Sequence, residues 1–207
     1  MAILGIDECH RSDVLGSLVV CGFICKEEEQ KELYELGVRD SKKIQYKIRK
    51  LAKMLKNYPH KIYRISAEEI SNCKNLNELE GKYYSKIIKW AINNYKIDKV
   101  YMDTIAVNPE TTKLYLDNFD IDMTIEKQAD EKYPCVMAAS CIAKDTSDKE
   151  MERLRKKFNC GSGVPCDKQT LEFIKNAILN QDENALKIIR KNWITYRRIE
   201  KTIKNET

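Results

Sequence analysis

Acidic residues follow two apolar runs of this sequence. The run that begins at Ile3 stops at Asp7 and Glu8, a second run stops at Asp103, and Asp130 lies in a short polar loop before a helix that begins with small residues. Carboxylates that converge at the edge of a sheet repel each other unless a hard cation binds between them, and Mg²⁺ is the usual cation. The pattern therefore predicts metal-assisted phosphoryl chemistry.

A structural role is the alternative for each of these residues. A single Asp at the end of a strand often only caps the helix that follows. Here acids stand at the ends of two predicted strands, and one of these ends has two adjacent acids. This pattern favours a shared binding site over two separate helix caps. Because neighbouring residues of a strand point to opposite faces, Asp7 and Glu8 can both reach one site only if the strand ends or bulges there.

The elements that position these acids form an α/β pattern. Strands are predicted at residues 2–7, 17–24, 60–65, 99–103 and 121–126. Helices are predicted at residues 27–36, 41–58, 77–95, from 109 onward, 135–158, 168–179 and 184–190. We expect a mixed five-stranded sheet flanked by helices, with its last two strands parallel to the first, and a C-terminal helical extension.

This topology brings the acids together. If the first and fourth strands are parallel neighbours, Asp7 and Asp103 leave the sheet at the same edge, where open α/β sheets bind their ligands. The predicted helix at 77–95 has an inner stripe that indicates core, formed by Leu79, Tyr83, Ile87, Trp90 and Ala91. We expect a catalytic domain over residues 1–158 and an extension over 159–207 that packs on it as part of one structural unit.

Composition restricts the classes of function. The chain has 207 residues, 43% of them hydrophobic and 33% charged, which is typical of a globular domain and not of a disordered or fibrous protein. The net charge is +5, with basic residues clustered at 42–56, 153–157 and 197–204. Such clusters favour a polyanionic partner, although a basic run on a helix is often only a solvated face.

The cysteines argue against a zinc site. None of the eight has C-x2-C spacing, and only His10 and His60 could add ligands. Without a signal peptide, we expect them to be reduced thiols in a cytoplasmic, reducing compartment. No apolar run approaches the roughly 18 residues of a membrane span, so we expect no membrane association.

Several segments, in order along the chain, resemble the motifs of type 2 ribonucleases H (ribonuclease HII), in the style of the archaeal branch. They are Gly5-Ile6-Asp7-Glu8, Leu15-Gly16, Gly37 to Lys43, Asn75 to Glu80, Glu126 to Pro134, Ala138 to Lys144, Gly161-Ser162-Gly163 with Asp167, and Trp193 with Thr195. The resemblance covers nearly the whole chain and implies a ribonuclease H-like fold.

The resemblance also implies an activity. It is that of an endonuclease that cuts the RNA strand of an RNA–DNA hybrid, or at ribonucleotides embedded in duplex DNA, leaving 5′-phosphate and 3′-hydroxyl ends. Carried over to this chain, the residues that hold two Mg²⁺ or Mn²⁺ ions are Asp7, Glu8, Asp103 and Asp130. We expect a monomer whose partner is the nucleic acid.

A second set of residues is implied to bind the substrate. Its members are His10, Arg11, Ser12, Ser41, Lys42, Lys43, Lys144 and Val164. For the basic residues the alternative is a solvated turn, and for His10 a solvated loop position. Trp193 could offer a stacking surface, but core packing of the tail is the alternative.

Two departures from the family pattern concern recognition of an RNA-to-DNA junction. The family's Gly-Arg-Gly loop reads His10-Arg11-Ser12 here, and Val164 replaces the usual Tyr. Glycine gives close backbone approach and freedom at positive φ, and a valine has no ring to stack on a sugar. We therefore expect cleavage within continuous hybrid to be better preserved than incision at a single embedded ribonucleotide.

Two other functions remain open at this point. A relative that binds hybrids without cutting them would explain the altered loop, but it has little use for a cluster of acids. Another metal-dependent nuclease on the same fold would explain the acids but not the order of the motifs.

Overall fold

A five-stranded sheet is the centre of the structure, a computed structural model that describes residues 1–38 and 47–206. The strands are β1 (Ala2–Cys9), β2 (Leu18–Lys26), β3 (His60–Ile65), β4 (Ile97–Asp103) and β5 (Asp122–Glu126). Their spatial order is β3-β2-β1-β4-β5. The strand β1 pairs antiparallel with β2 and parallel with β4, which pairs parallel with β5. The predicted mixed sheet is confirmed.

Helices connect and follow these strands. The described ones are α1 (Glu29–Glu35), α2 (Ile48–Leu55), α3 (Ala67–Asn72), α4 (Leu76–Asn94), α5 (Pro109–Lys113), α6 (Ala129–Lys132), α7 (Pro134–Phe158), α8 (Lys168–Leu179), α9 (Glu183–Leu186) and α10 (Ile194–Glu206). None of these helices combines the length and hydropathy that a membrane crossing requires. Residues 41–46 of the helix predicted at 41–58 lie outside the described residues.

Local signals in the sequence explain where several helices begin. The side chain of Ser66 accepts a hydrogen bond from the Glu69 N–H at the start of α3. Asn108 caps α5 in the same way, with Pro109 at the first helical position. Both caps follow from residue types that are visible in the sequence.

Two compact units make up the chain. Unit 1 comprises residues 1–9, 19–63 and 75–146, and unit 2 comprises residues 10–18, 64–74 and 147–207. Unit 1 contains most of the sheet, and unit 2 contains α8, α9 and α10. The division at residue 158 that we expected from sequence stays a prediction about which part of the chain folds as a domain.

In unit 1 the small residues at the start of α7 allow it to approach the sheet closely. A Cβ atom on Gly5 of β1 would lie 2.3 Å from the Cys135 carbonyl carbon, so only glycine fits there. The apolar core on this side is formed by Ile3, Cys21 and Phe23 with the buried residues 135–139 of α7. On the other side, a Cβ atom on Gly22 would lie 2.3 Å from Ile87 of α4.

In unit 2 the predicted helix at 184–190 is shorter than expected. The helix α9 ends at Leu186, and Ile189 instead forms a β-bridge with Leu15. The Gly16 N–H donates to the Ile188 carbonyl, and the Arg190 N–H donates to the Val14 carbonyl. These long-range pairs satisfy backbone groups that a longer helix would have used internally.

Candidate active site

Asp7 and Asp103 occupy equivalent places on two neighbouring parallel strands. Met102 lies opposite Ile6, so Asp7 and Asp103 are the next residues of β1 and β4. Asp7 is 5% exposed, and Asp103 is the last residue of β4. The two acids therefore lie side by side at the same edge of the sheet, as the sequence predicts, although β1 itself continues to Cys9.

Glu8 leaves β1 on the opposite face from Asp7. The strand continues to Cys9 and stays paired with β2 there, but its pairing with β4 ends at Ile6. On the β4 side the ladder thus ends just before the two acids, which lets both carboxylates reach one site around this free edge, and the charge of Glu8 acts on Asp7. Asp7 accepts a hydrogen bond from the hydroxyl of Ser140 on α7. Glu8 accepts one from the Tyr84 hydroxyl on α4, at 2.5 Å. Each acid is thus held by a different layer of helices.

Asp103 is held by backbone donors. Its Oδ1 accepts hydrogen bonds from the Thr104 N–H at 2.6 Å and from the Gln128 N–H at 3.2 Å. Gln128 has a left-handed backbone (φ 58°) and precedes the first residue of α6. Asp103 therefore ties the end of β4 to the turn that presents Asp130, a structural role that does not exclude ligand binding through its remaining lone pairs.

Asp130 lies in the first turn of α6 and is 7% exposed. It is close enough to Asp7 to raise the pKa of that residue. Desolvation by burial is the largest cause of the raised pKa of Asp7, followed by the negative charges of Glu8 and Asp130. The Ser140 hydrogen bond lowers the pKa but does not offset these effects.

This donor set fits a hard divalent cation. Carboxylate oxygens are its ligands of choice, and a positive charge between Asp7, Glu8 and Asp130 would turn their repulsion into attraction. Within residues 1–38 and 47–206, no three His, Cys, Asp or Glu side chains form a ready-made cage for an ion. Mg²⁺ needs no such cage, because it commonly takes one or two carboxylates and keeps water and phosphate as further ligands.

The neighbouring cysteine does not add a soft ligand. Cys21 lies opposite Asp7 on β2 and is fully buried. Burial and the charge of Asp7 raise the pKa of the Cys21 thiol far above its usual value, so the thiol stays protonated. All eight cysteines of the chain are free thiols.

Among the described residues, Lys144 is the predicted substrate-binding residue that belongs to unit 1. It is half-buried on α7, four residues after Ser140, and so lies on the same face of the helix. Ser140 contacts Asp7, and Lys144 therefore extends from the side of α7 that meets the acids. Ser41, Lys42 and Lys43 lie outside the described residues.

His10 and Ser12 belong to a loop of unit 2. His10 keeps the positive φ (64°) that favours glycine, but its side chain is engaged within the unit. The ring Nδ1 lies 3.1 Å from Asp13 Oδ2, and Nε2 lies 3.7 Å from Asp148 Oδ1. The loop thus has a backbone conformation at residue 10 that glycine adopts most easily, while the imidazole lies between two carboxylates.

Side chains from the C-terminal part of unit 2 hold this loop through its backbone. Arg190 is fully buried and donates from Nε to the Gly16 carbonyl and from Nη1 to the Arg11 carbonyl, both at 3.0 Å. Trp193 Nε1 donates to the Ser12 carbonyl at 3.1 Å. Sequence reasoning missed the role of Arg190, and it gave Trp193 only a core or stacking role.

The second loop of unit 2 contains Val164. Asp167 Oδ2 accepts hydrogen bonds from the Ser162 N–H at 2.6 Å and its hydroxyl at 2.8 Å, and these hold the pKa of Asp167 at about 2. The Gly163 carbonyl accepts from the Val14 N–H, which joins this loop to the one that contains His10. Val164 itself is 39% exposed.

Comparison with known proteins places the chain in a family. The family model described as Ribonuclease HII matches residues 4–196. A ribonuclease HII of Methanocaldococcus jannaschii is 36% identical over 222 residues, covering 96% of this chain and 95% of the relative. One from Sulfolobus acidocaldarius is 36% identical over 197 residues, covering 93% and 92%.

Solved structures agree. The ribonuclease H2 of Pyrococcus horikoshii has a TM-score of 0.85 and 31% identity, covering 99% of both chains. A ribonuclease HII of Archaeoglobus fulgidus, solved in complex with PCNA, has a TM-score of 0.81 and 33% identity, covering 93% of this chain and 95% of that one. Bst-RNase HIII, solved with Mn²⁺, has a TM-score of 0.83 at 18% identity and supports the fold alone.

The predicted ribonuclease H-like fold and the resemblance to archaeal type 2 enzymes are therefore confirmed. The alternative of another metal-dependent nuclease on the same fold is not supported, because the Ribonuclease HII model matches residues 4–196. This chain belongs to the ribonuclease HII family, and it is a metal-dependent endoribonuclease.

Proposed function

We propose that this protein hydrolyses the RNA strand of RNA–DNA hybrids and that Asp7, Glu8, Asp103 and Asp130 hold its divalent ions. The observation that supports this assignment is the placement of Asp7, a buried carboxylate next to Asp103 at one edge of the sheet and close enough to Glu8 and Asp130 for their charges to raise its pKa. Such crowding destabilises a fold unless a cation is bound, and it is expected at a site made for one.

The four carboxylates orient the ions, and none of them acts as a nucleophile. Two bound Mg²⁺ or Mn²⁺ ions would activate the attacking water and stabilise the leaving 3′ oxygen, which gives 5′-phosphate and 3′-hydroxyl ends. Ser140 and the backbone N–H groups of Thr104 and Gln128 keep two of the carboxylates, Asp7 and Asp103, in fixed directions. Their task is to hold negative charge at defined positions before the substrate arrives.

Lys144 of unit 1, together with Ser41, Lys42 and Lys43, is proposed to contact the phosphates of the nucleic acid. Lysine acts there as a flexible point charge that positions the duplex without reading its sequence. We expect the enzyme to act as a monomer, and its free cysteines suit a reducing compartment such as the cytoplasm.

Unit 2 is proposed to carry junction recognition through His10, Arg11, Ser12 and Val164. The imidazole of His10 is engaged with Asp13 and Asp148, and Val164 presents an aliphatic side chain where a ring could stack. Both features support a preference for continuous hybrid over a single ribonucleotide embedded in duplex DNA.

The test is cleavage of labelled duplexes with Mg²⁺ or Mn²⁺. The wild type and Asp7→Asn are compared on a continuous hybrid, a DNA duplex with one ribonucleotide, and an all-DNA control. We expect the wild type to cut the hybrid best, the all-DNA duplex to survive, and Asp7→Asn to be inactive. Full activity of Asp7→Asn would contradict the assignment of the metal site, and a strong preference for the single ribonucleotide would contradict the proposed specificity.

A further inference from the structure

Tyr84 is a buried tyrosine that the mechanism above does not use. It lies on α4, is 0% exposed, and is among the largest fully buried side chains of the described residues. Its hydroxyl donates a hydrogen bond to Glu8 Oε2 at 2.5 Å. An ionised carboxylate can only accept, so the direction of this hydrogen bond is fixed.

The helix that carries Tyr84 is held firmly. A Cβ atom on Gly81 would lie 2.2 Å from the Tyr115 carbonyl oxygen, and Ile87 fills the space above Gly22 of β2. Glu80, one turn before Tyr84, is also fully buried. The phenol therefore has little freedom to leave Glu8, because close packing on both sides of α4 prevents the helix from shifting.

Glu8 needs such a partner because of its place on β1. It points to the α4 face of the sheet, whereas Asp7 points to the α7 face and is held by Ser140. A glutamate has one more rotatable bond than an aspartate and loses more side-chain entropy when it is fixed in one rotamer. A hydrogen bond from a rigid donor restricts that freedom before any cation binds.

We propose that Tyr84 is a positioning residue that orients the Glu8 carboxylate for the metal ion. The inference rests on the proposed function, since it takes Glu8 as a ligand. Partners that orient a metal ligand typically contribute about 10- to 100-fold to metal affinity. Tyr84 thus acts through Glu8 and contacts neither the substrate nor the reacting atoms.

The experiment measures Mn²⁺ binding to the full chain without substrate, from the electron paramagnetic resonance signal of the free ion. The variant is Tyr84→Phe, which removes one oxygen and keeps the ring. Tyr133→Phe is the matched control, because Tyr133 donates a similar hydrogen bond to Glu126, at 2.6 Å, and Glu126 is not among the proposed ligands. Circular dichroism melting of each variant verifies that the fold is retained.

We expect Tyr84→Phe to weaken Mn²⁺ binding by about 10- to 100-fold and Tyr133→Phe to leave it at the wild-type value. At saturating Mn²⁺, the KM for a continuous hybrid should be unchanged, because Tyr84 does not bind the substrate. Wild-type Mn²⁺ affinity in Tyr84→Phe would overturn the inference, and so would an equal loss of affinity in both variants.

A double-mutant cycle tests whether the effect passes through Glu8. In a Glu8→Gln background, Tyr84→Phe should cause no further loss of Mn²⁺ affinity, and an additional loss as large as in the wild type would overturn the inference. Asp7→Asn distinguishes a failure of the positioning role of Tyr84 from a failure of the proposed metal site. If Asp7→Asn loses Mn²⁺ binding while Tyr84→Phe keeps it, only the positioning role fails. If Asp7→Asn binds Mn²⁺ like the wild type, the proposed metal site fails, and the inference fails with it.

Discussion

The carboxylates of unit 1 and the loops of unit 2 are held in opposite ways. Asp7 is buried beside Glu8 and Asp130, and their charges raise its pKa. In unit 2, Arg190 and Asp167 bind groups that suit their charge, namely backbone carbonyls for the guanidinium and N–H and O–H donors for the carboxylate. The first region keeps like charges close together, whereas in the second these charged groups have partners of complementary polarity.

This difference indicates a division of tasks. A site that must bind an ion keeps unfavourable charge in the free state, which lowers the stability of the fold and raises the affinity for the ion. The unit 2 loops, which we propose recognise the substrate, gain from internal hydrogen bonds that fix their shape before binding. Substitutions should therefore have opposite effects on stability in the two regions.

The largest effect is expected from Asp7→Asn. Loss of the ligand charge should lower kcat by about 10³-fold or more, since metal ions supply several kcal/mol of stabilisation to such transition states. Because the pKa of Asp7 is raised in the folded chain, its ionised form opposes folding at neutral pH. We therefore expect Asp7→Asn to raise the Tm in EDTA by about 2–4 °C, which corresponds to ~1 kcal/mol.

Asp120→Asn is the matched control, because Asp120 is exposed and lies outside the acidic cluster. It should change neither the activity nor the Tm. A lower Tm for Asp7→Asn in EDTA would show that the crowded carboxylates do not oppose folding, and the contrast between the two regions would then be wrong.

Arg190→Met is expected to have the next largest effect, on stability. The substitution leaves the carbonyls of Arg11 and Gly16 without their buried donors, at a cost of ~3 kcal/mol. The Tm should fall by about 6–12 °C, measured by calorimetry. Arg197→Met, on an exposed position of α10, should leave the Tm unchanged. An equal Tm for both variants would show that the loop does not depend on the buried guanidinium.

Asp167→Asn tests the hydrogen bonds that hold the loop of unit 2 that contains Val164. Hydrogen bonds from Ser162 hold the pKa of Asp167 at about 2, below that of an unfolded aspartate, so its ionised form stabilises the fold. This contribution is complete above pH ~4 and is lost as the pH falls through about 2. Because the side chain is partly exposed, we expect Asp167→Asn to destabilise the protein by only ~1 kcal/mol at neutral pH.

Urea unfolding at pH 7 and pH 3 measures the difference in unfolding free energy between the wild type and Asp167→Asn. Asp182→Asn is the control, since Asp182 caps α9 and asparagine caps equally well. The stability gap between wild type and Asp167→Asn should narrow at pH 3, whereas Asp182→Asn should match the wild type at both values. A gap that does not change with pH would contradict the assigned pKa.

Local patterns predicted the strands and the acids that follow their apolar residues, because an apolar run that stops at a carboxylate is visible within a few residues. The predicted end of the first strand was wrong by two residues, since β1 continues to Cys9. Asp7 and Asp103 could be placed on one edge once two strands were taken as parallel neighbours. Tyr84 could not be recognised, since helical periodicity placed Tyr83 in the inner stripe, although Tyr84 is the more buried of the two (0% against 8%). The direction of its hydroxyl depends on the packing of α4 on the sheet.

The burial and hydrogen bonds of Arg190 could not be predicted from sequence patterns for a different reason. Its partners, Gly16 and Arg11, lie 174 and 179 residues away along the chain. The apparent helical pattern at 184–190 also concealed the bridge between Ile189 and Leu15. Contacts of this separation are set by the whole fold, and no local signal distinguishes a buried arginine from a solvated one.

Val164→Tyr is expected to have the smallest effect and to act on specificity alone. Val164 is 39% exposed in a loop that Asp167 and the Val14 N–H already hold, so a larger side chain there should not change the Tm. An aromatic ring that stacks on the substrate contributes on the order of 1 kcal/mol, which corresponds to about threefold to tenfold in relative kcat/KM. We expect this gain for a duplex with one ribonucleotide, measured against a continuous hybrid.

Val107→Tyr, on a position that is 77% exposed in unit 1, should leave the ratio of kcat/KM for the two substrates unchanged. If Val164→Tyr shifts the Tm but not the ratio, this loop supports the fold of unit 2 and does not select the substrate.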